Sequence, residues 1–298
     1  MATIKTKLVK TQGGELHSPL CHARHMGLYA IEPEFMLSTW SAIKAGVYRF
    51  APQDPIQEAT EFPKIMYQIE DRVALISMSG AMAKGYSKFA GVDTQFVRMS
   101  VRAAKADPEV GALLIRIDSP GGMVAGTEEL ANEIKNFGKP VFVQVEDCCS
   151  SAAYWISSSA KKIFANATAQ IGSIGTFAVI EDTSKQAELS GVKVHVVSTG
   201  AMKGAGADGT PITPELLSEL QSRIDQLNSY FLDAVKTGRA MESKDLKSVS
   251  DGRVWIAAEA KKLGLIDGIQ GFDETFAIAA KAAAPRKRAM AEAQLNAS

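Results

Sequence analysis

The stretch that decides the fold is Gly111-Ala-Leu-Leu-Ile-Arg-Ile-Asp118, followed by Ser119-Pro-Gly-Gly122. Its first part is a nearly continuous apolar run of strand length, which is typical of a strand buried in a parallel sheet. The helical pattern of Thr127–Phe137 follows, and it ends at Gly138 with Pro140 just beyond, as helix ends commonly do. The stretch therefore predicts a strand, a tight turn and a helix.

The same alternation of strands and helices extends outward in both directions from this stretch, beginning at Ile65. The predicted strands are Val73–Met78, Val141–Val145, Lys162–Asn166, Gly175–Ile180 and Val192–Val197, and the predicted helices are Thr94–Ala106, Ala152–Ala160 and Pro214–Arg239. Repeated strand–helix–strand units imply a largely parallel sheet covered by helices. The predicted fold class is α/β.

Three regions differ in pattern along the chain. Residues 1–62 show weak periodicity and several prolines, which predicts an N-terminal arm or small cap with a short helix over Phe35–Ala45. The cluster Cys21-His22-x-x-His25 lies there, but a closed zinc site needs four ligands, so a polar loop is the preferred interpretation. Residues 63–272 hold the alternating pattern, and residues 273–298 are an alanine-rich segment that predicts a tail.

Composition narrows the class of protein. The chain of 298 residues is 46% hydrophobic and 22% charged, so disorder does not describe the whole. Lys+Arg number 33 and Asp+Glu number 33, and this balance argues against a protein that coats nucleic acid.

Three cysteines, two of them adjacent, favour a reducing compartment over a disulfide framework. With no signal-peptide pattern and no apolar run of about 18 residues, we expect a soluble intracellular protein.

Two turns at predicted strand ends carry candidate chemistry. In Asp118-Ser-Pro-Gly-Gly122 the paired glycines leave backbone amides free to face an anion or oxyanion, although the same residues also suit a plain strand-to-helix turn. In Asp147-Cys-Cys-Ser-Ser-Ala-Ala-Tyr154 a serine precedes a helix, where it is either a cap or a nucleophile on a crowded turn. No charge occurs from Cys148 to Ala160.

Two more motifs and one histidine complete the candidates. Ile171-Gly-Ser-Ile-Gly175 holds a serine between glycines, and Lys203 is the only charged residue between Lys193 and Asp208. A lysine in such surroundings is either a solvated loop residue or a desolvated base that deprotonates a serine. The adjacent cysteines are competing nucleophiles, but His195 falls within a predicted strand, so a triad with histidine has few candidates.

Taken together, four motifs resemble the Ser–Lys peptidases of the signal peptide peptidase A family. They are Asp118-Ser-Pro-Gly-Gly122, Ser151-Ala-Ala-Tyr-Trp155, Gly172-Ser-Ile-Gly175 and Gly200-x-x-Lys203, and the likeness extends over about Ile65–Gly271. Within that family the chain looks most like the head-maturation proteases of tailed phages. The longer string that ends at Gly126 and the early segment Glu32-Pro-Glu-Phe-Met-Leu37 carry that likeness.

The resemblance implies a catalytic dyad without metal or cofactor. Ser151 would be the nucleophile, and Lys203 would be the general base that takes its proton and returns it to the leaving amine. Ser150 competes as nucleophile but lies one position away from the matching spacing.

The resemblance also implies supporting groups and a fold. Backbone amides of Gly121 or Gly122, with that of Ala152, would hold the oxyanion, and Ser173 would orient the Lys203 amine. The implied fold is the crotonase/ClpP-like ββα spiral, assembled into homo-oligomeric rings whose active sites are completed between subunits.

The chain departs from the family pattern at three places. Ala152-Ala153 stands where many relatives have two glycines, which leaves the amide donor but puts the shape of the substrate pocket in doubt. Thr199 precedes Gly200 where serine is common, and Gly204 follows the lysine where an acidic residue is frequent.

Three functions follow as hypotheses. The first is a serine endopeptidase that cleaves scaffold, portal or its own tail inside a phage prohead in the host cytoplasm, with no nucleic-acid or membrane partner. The second is a cytosolic bacterial hydrolase of signal peptides or oligopeptides, with the same chemistry. The third is a crotonase-fold component of the shell that has lost proteolysis.

Overall fold

A computed structural model describes residues 5–9, 29–31, 64–85 and 91–284. The cluster Cys21–His25, the helix predicted over Phe35–Ala45 and the segment Glu32–Leu37 lie outside these ranges. The described elements, in chain order, begin and end as follows. The strands are β1 Lys5–Val9, β2 Tyr29–Ile31, β3 Lys64–Glu70, β4 Val73–Ser79, β5 Met82–Ala83, β6 Val92–Asp93, β7 Ala112–Ser119, β8 Gly121–Met123, β9 Val141–Ser150, β10 Lys162–Ala165, β11 Gln170–Gly172, β12 Val254–Ile256 and β13 Gly268–Ile269. The helices are α1 Thr94–Ala106, α2 Thr127–Lys135, α3 Ala152–Ser158, α4 Ser184–Leu189, α5 Pro214–Gly238, α6 Ser243–Val249, α7 Ala257–Lys262 and α8 Phe272–Ala283.

A large mixed sheet forms the centre of the molecule, with strand order β1-β3-β4-β7-β9-β10-β13. Its central strands β4, β7, β9 and β10 are parallel, while β1, β3 and β4 pair antiparallel at one side. The apolar residues from Ala112 to Ile115 are fully buried in β7, because helices cover this part of the sheet. The end of β9 pairs with β11, and β11 in turn pairs antiparallel with β12.

A second, small sheet has the strand order β2-β8-β5-β6. Strand β4 of the large sheet is followed by β5 and β6 of the small sheet and then by helix α1. Strand β7 is likewise followed by β8 and then by helix α2. This repeat is the expected ββα unit, and the predicted α/β class is confirmed.

Helix α3 is buried along its whole length, which explains the uncharged stretch around it. All seven of its residues are buried, and its Trp155 ring stacks on Phe231 of α5 with centroids 4.8 Å apart. The Tyr154 hydroxyl donates a hydrogen bond of 2.9 Å to the carbonyl of Leu265. A charged side chain in this helix would have to be desolvated without a partner, so the sequence carries none.

Two of the predicted strands are wrong. Gly175–Ile180 and Val192–Val197 form no strand, and His195 is exposed rather than held inside a sheet. The apolar alternation of these segments is strand-like, but the outer edge of β11, the strand that precedes them in the chain, is occupied by β12. The region between β11 and α5 folds largely on itself, with Gly209 close to the Val194 side chain.

The alanine-rich segment also differs from the expected tail. Helix α8 lies on the sheet with Thr275, Ala279 and Ala283 buried. The Thr275 hydroxyl donates a hydrogen bond of 2.6 Å to the side-chain carbonyl of Gln144 in β9. The Gln144 amide donates in turn to the carbonyl of Gln270, at 3.1 Å. The part of the segment up to residue 284 therefore belongs to the packed domain, and residues 285–298 lie outside the described ranges.

Among the described residues, no helix combines the length and apolarity that crossing a bilayer requires.

The close crossing of helices α3 and α5 gives a test of the packing. A Cβ on Gly238, at the end of α5, would lie 1.8 Å from the carbonyl oxygen of Ser158. We therefore expect Gly238→Ala to lower the free energy of unfolding by about 1–3 kcal/mol in urea titrations, although glycine-to-alanine changes in helices usually stabilise. Gly200→Ala is the matched control, since a Cβ there meets no atom within 4 Å. Equal unfolding midpoints for the two variants would contradict this packing.

Candidate active site

Ser151 lies at the turn between strand β9 and helix α3, in a conformation that non-glycine residues rarely adopt. Its backbone has φ 53° and ψ −118°. The Ser151 amide donates to the carbonyl of Gly172 at 2.8 Å, and the Ser151 carbonyl accepts from the amide of Trp155 at 2.8 Å. Backbone strain of this kind costs about 1–3 kcal/mol and persists where the surrounding structure enforces it, often at functional sites.

The side chain of Ser151 does not act as a helix cap. Ser151 occupies the N-cap position of α3, but its hydroxyl makes no capping hydrogen bond. Instead the hydroxyl points to the carbonyl of Gly175, with a long O···O distance of 3.5 Å. The structural explanation for a serine at this position, that it caps the helix, therefore does not apply here.

The neighbouring nucleophiles are less suited to reaction. Ser150 and Ser151 are both fully buried, and they differ in their hydrogen bonds. Ser150 is the last residue of β9, opposite Gly172, and its hydroxyl accepts a hydrogen bond from the Cys148 thiol at 3.4 Å. Burial raises the pKa of the Cys149 thiol to about 12, and its sulfur lies 3.2 Å from the Ser157 hydroxyl. A thiol that stays protonated at neutral pH is a poor nucleophile.

The candidate oxyanion amides lie beside Ser151 because of the register between β7 and β9. Ser119 is opposite Cys149, so Gly121 and Ser151 both come two residues after a paired position on adjacent strands. Ala152 is the first residue of α3, and helix geometry leaves its amide without a partner inside the helix. An amide at this place can donate to a negative charge that develops next to Ser151.

The two glycines of this turn have different environments. The Gly121 amide donates to the Ser119 hydroxyl at 3.2 Å, and that hydroxyl donates to the carbonyl of Gly80 at 2.7 Å. Gly122 is in close contact with strand β5, since a Cβ there would lie 1.9 Å from the carbonyl oxygen of Met82. Only glycine fits at position 122, because backbone occupies the space that a side chain needs.

Ser173 follows β11, on the other side of Ser151. Gly172 is opposite Ser150, which places Ser173 next to Ser151 at the end of the neighbouring strand. Ser173 is buried with φ 49°, and its amide donates to the carbonyl of Arg253 at 2.8 Å. The structure thus brings four groups together where the parallel strands β7, β9 and β11 end. They are Ser151, Ser173, the Gly121-Gly122 turn and the Ala152 amide.

Lys203 is not part of this group within a single chain. It lies in an exposed turn, where its amide donates to the carbonyl of Gly200 at 3.0 Å. In the described ranges its amine makes no hydrogen bond to Ser151 or Ser173. His195 is exposed in the same region of the chain.

The carboxyl group of Asp118, just before the glycine turn, was not predicted as a residue with a perturbed pKa. Asp118, the residue before Ser119, has its pKa raised by burial and by the negative charge of Asp147. Its carboxylate accepts a hydrogen bond from the amide of Cys148, which acts in the opposite direction. The sequence does contain an indication of this shift, because Asp118, Glu146 and Asp147 lie at the ends of two adjacent predicted strands, where their negative charges come close together. In the described part of the chain, no three His, Cys, Asp or Glu residues gather as a metal site would require.

Comparisons with known proteins show the family to which the chain belongs. Residues 133–286, just over half of the chain, match the sequence profile of peptidase family S49. Protease 4 of Haemophilus influenzae is 30% identical over 213 residues, which are 70% of this chain and 34% of that protein. Capsid assembly protease C of Escherichia phage lambda is 27% identical over 229 residues, 74% of this chain and 52% of that protein.

Solved structures are also similar, at lower sequence identity. Among them is a mutant ClpP1 of Listeria monocytogenes, which is 14% identical with a TM-score of 0.46; the match covers 69% of this chain and 94% of the ClpP1 chain. The chain spans about a third of the length of the bacterial Protease 4 sequences that it matches.

The strained turn predicts which serine reacts. A fluorophosphonate probe should label the wild-type protein and Ser150→Ala, and it should fail to label Ser151→Ala, because only the Ser151 hydroxyl lies beside the free amide of the helix. Intact mass and peptide mapping identify the modified residue. Loss of labelling in Ser150→Ala, with labelling kept in Ser151→Ala, would show that Ser150 and not Ser151 is the reactive serine.

Proposed function

Because the chain belongs to peptidase family S49, we propose that it is a serine endopeptidase in which Ser151 forms an acyl-enzyme with its substrate. The observation that carries the proposal is the Ser151 turn, which holds a hydroxyl without a capping role beside the first amide of a buried helix. Nucleophilic serines of other hydrolases also lie on strained strand-to-helix turns; in the single chain Ser151 is fully buried. The family match of residues 133–286 includes Ser151 and Lys203.

The reaction divides into acylation and deacylation. In acylation the Lys203 amine accepts the proton of the Ser151 hydroxyl, and the oxygen attacks the scissile carbonyl carbon. The Ala152 amide, together with that of Gly121 or Gly122, stabilises the oxyanion, and Lys203 returns the proton to the departing amine. Water then attacks the ester, with the same lysine as base, and releases the acid and the free serine. Ser173 orients the lysine amine in both steps.

A second copy of the chain would complete this dyad, which explains why Lys203 is exposed in one chain. The region between β11 and α5 that carries Lys203 also presents unusually many apolar side chains to solvent, including Leu189 at 82% and Val197 at 98% exposure. The other exposed apolar residues of this region are Val179, Val192, Val196 and Met202. An exposed apolar surface of this kind is typical of a protein–protein interface. We therefore place Lys203 of one protomer beside Ser151 of its neighbour in a homo-oligomer.

The substrates that we propose are proteins of an assembling phage shell, namely scaffold, portal or this chain itself. The likeness to capsid assembly protease C of phage lambda, over 74% of the chain, supports this role. A prohead in the host cytoplasm is the place of action in that case. Bacterial Protease 4 is slightly more identical, at 30% against 27%, and this favours signal-peptide or oligopeptide hydrolysis as the second candidate.

Mixing two inactive variants tests the shared dyad. Ser151→Ala and Lys203→Ala should each abolish peptide cleavage as pure proteins, because each removes one half of every dyad. When they are co-expressed in equal amounts, about a quarter of the sites should pair an intact serine with an intact lysine. Activity recovered to about that level supports a dyad between protomers. Lys193→Ala, another lysine of the same region, is the control that should keep full activity.

If both single variants are inactive and the mixture stays inactive although mass spectrometry shows mixed oligomers, the dyad lies within one chain. Wild-type activity in Lys203→Ala would remove the lysine from the mechanism.

The substrate class is tested by co-expression. Scaffold or portal protein should be cleaved when it is produced with the wild-type chain and should stay intact with Ser151→Ala. Mass spectrometry of the products gives the cleavage sites. Intact shell proteins together with cleaved signal peptides would favour the second candidate, and a protein that cleaves neither and takes no fluorophosphonate would be a shell component without catalysis.

A further inference from the structure

Strand β2 lies directly on the strand that carries the candidate oxyanion glycines. Tyr29–Ile31 pairs antiparallel with β8, with Tyr29 opposite Met123, Ala30 opposite Gly122 and Ile31 opposite Gly121. Strand β8 begins at Gly121, so the pairing starts at the oxyanion turn itself. A segment that precedes the central region by more than thirty residues thus occupies the neighbourhood of the nucleophile.

The edge that β2 occupies is the one at which β8 can accept another strand. On its opposite edge β8 pairs with β5, where Gly122 is opposite Met82. That contact is closed, since a Cβ on Gly122 would lie 1.9 Å from the Met82 carbonyl oxygen. Any further strand, whether from this chain or from a substrate, must therefore add at the position of β2.

A peptide substrate has to use this same edge. Its scissile carbonyl must reach both the Ser151 hydroxyl and the amides at the Gly121-Gly122 turn, and the pairing of Ser119 with Cys149 sets these groups side by side. Helix α3, which starts after Ser151, contacts β8. A peptide that continues from that carbonyl in extended form lies along β8, and main-chain hydrogen bonds to an exposed strand edge are a general way of binding extended peptides.

We propose that Tyr29–Ile31 is a built-in competitor of the substrate, which pairs with β8 in the resting protein and is displaced when a peptide binds. The proposal rests on the proposed function, because it takes Ser151 and the glycine turn as the reacting centre. A tethered segment competes at an effective concentration on the order of millimolar. Because binding requires the minor, open state, the competition weakens the apparent affinity for peptides and leaves the chemical step unchanged.

Two proline variants provide the test and its internal control. Neighbouring residues of a strand direct their N–H groups to opposite edges, so Ala30→Pro and Ile31→Pro remove different bonds. One of the two loses an N–H that faces β8, and the other loses an N–H that faces away from it. We expect the first to react about five to ten times faster with a tripeptidyl (Ala-Ala-Ala) phosphonate ester, through tighter binding. The second should stay within about twofold of wild type.

A small fluorophosphonate without a peptide separates this inference from the proposed function. It reacts with Ser151 without needing the strand edge, so all three proteins should be labelled at equal rates. If neither reagent labels Ser151, the proposed function fails and the inference fails with it. If the small reagent labels all three proteins but the peptidyl reagent gains in neither proline variant, the inference alone is overturned.

Hydrogen exchange gives a second answer with the unmodified sequence, in case a proline variant does not fold. After wild-type protein has reacted with the peptidyl phosphonate, the amides of Tyr29–Ile31 should exchange faster, because the bound peptide has taken their place on β8. After reaction with the small fluorophosphonate they should exchange as in the free protein. Equal protection of residues 29–31 in all three states would overturn the proposal.

Discussion

The hydrogen bond from the Ser151 amide to the Gly172 carbonyl is the constraint on which the site depends. It joins the end of β9 to the end of β11 and holds Ser151 at a positive φ that the residue would not adopt in an ordinary turn. The same contact sets Ser173 beside Ser151, because Ser173 directly follows Gly172 in the chain. Strand β7 fixes the third part of the site, since the pairing of Ser119 with Cys149 determines where the glycine turn begins. The ends of the three parallel strands β7, β9 and β11 therefore set the positions of the residues around Ser151.

Burial of helix α3 keeps this strained turn in place. The helix begins right after Ser151, and any movement of the turn would have to displace Trp155 from its stack on Phe231. Large aromatic side chains in a closely packed core resist such displacement, because a shift leaves a void that costs free energy. The thirteen uncharged residues from Cys148 to Ala160 thus serve two purposes. They allow the helix to be buried, and they place Ser151 in low-dielectric surroundings, where hydrogen bonds to backbone amides are stronger.

The sequence predicts the bounds of a helix well where apolar residues recur at helical spacing along its whole length. Helix α1 has the predicted bounds Thr94–Ala106, and α5 ends one residue before the predicted Arg239. Strand β8 was not predicted, because Gly121-Gly122-Met123 has little strand preference and is a strand only through its partners. The opposite error occurs at Val192–Val197, where a strand-like pattern lies outside both sheets. Of the site, the sequence motifs select Ser173 and the glycine turn, which the structure brings close to Ser151, whereas Lys203 lies in an exposed turn and its role stays a prediction.

Helix α8 connects the end of the described chain to β9, the strand that leads into the Ser151 turn. Gln144 of β9 is buried, and its side chain is satisfied by Thr275 of α8 and by the Gln270 carbonyl just before it. The Gln144 amide also donates to the Val145 carbonyl and to the Asn166 side chain, so it has partners before residue 270 is made. Until Thr275 has been synthesised, it is the Gln144 side-chain oxygen that lacks its partner, and leaving a buried polar group unpaired costs about 1–3 kcal/mol. Because synthesis proceeds from the N-terminus at about 5–20 residues per second, strand β9 gains its hydrogen bond with α8 only after the ribosome has released residue 275. The strand that leads into the Ser151 turn therefore completes its hydrogen bonds late in synthesis, when most of the chain has already been made.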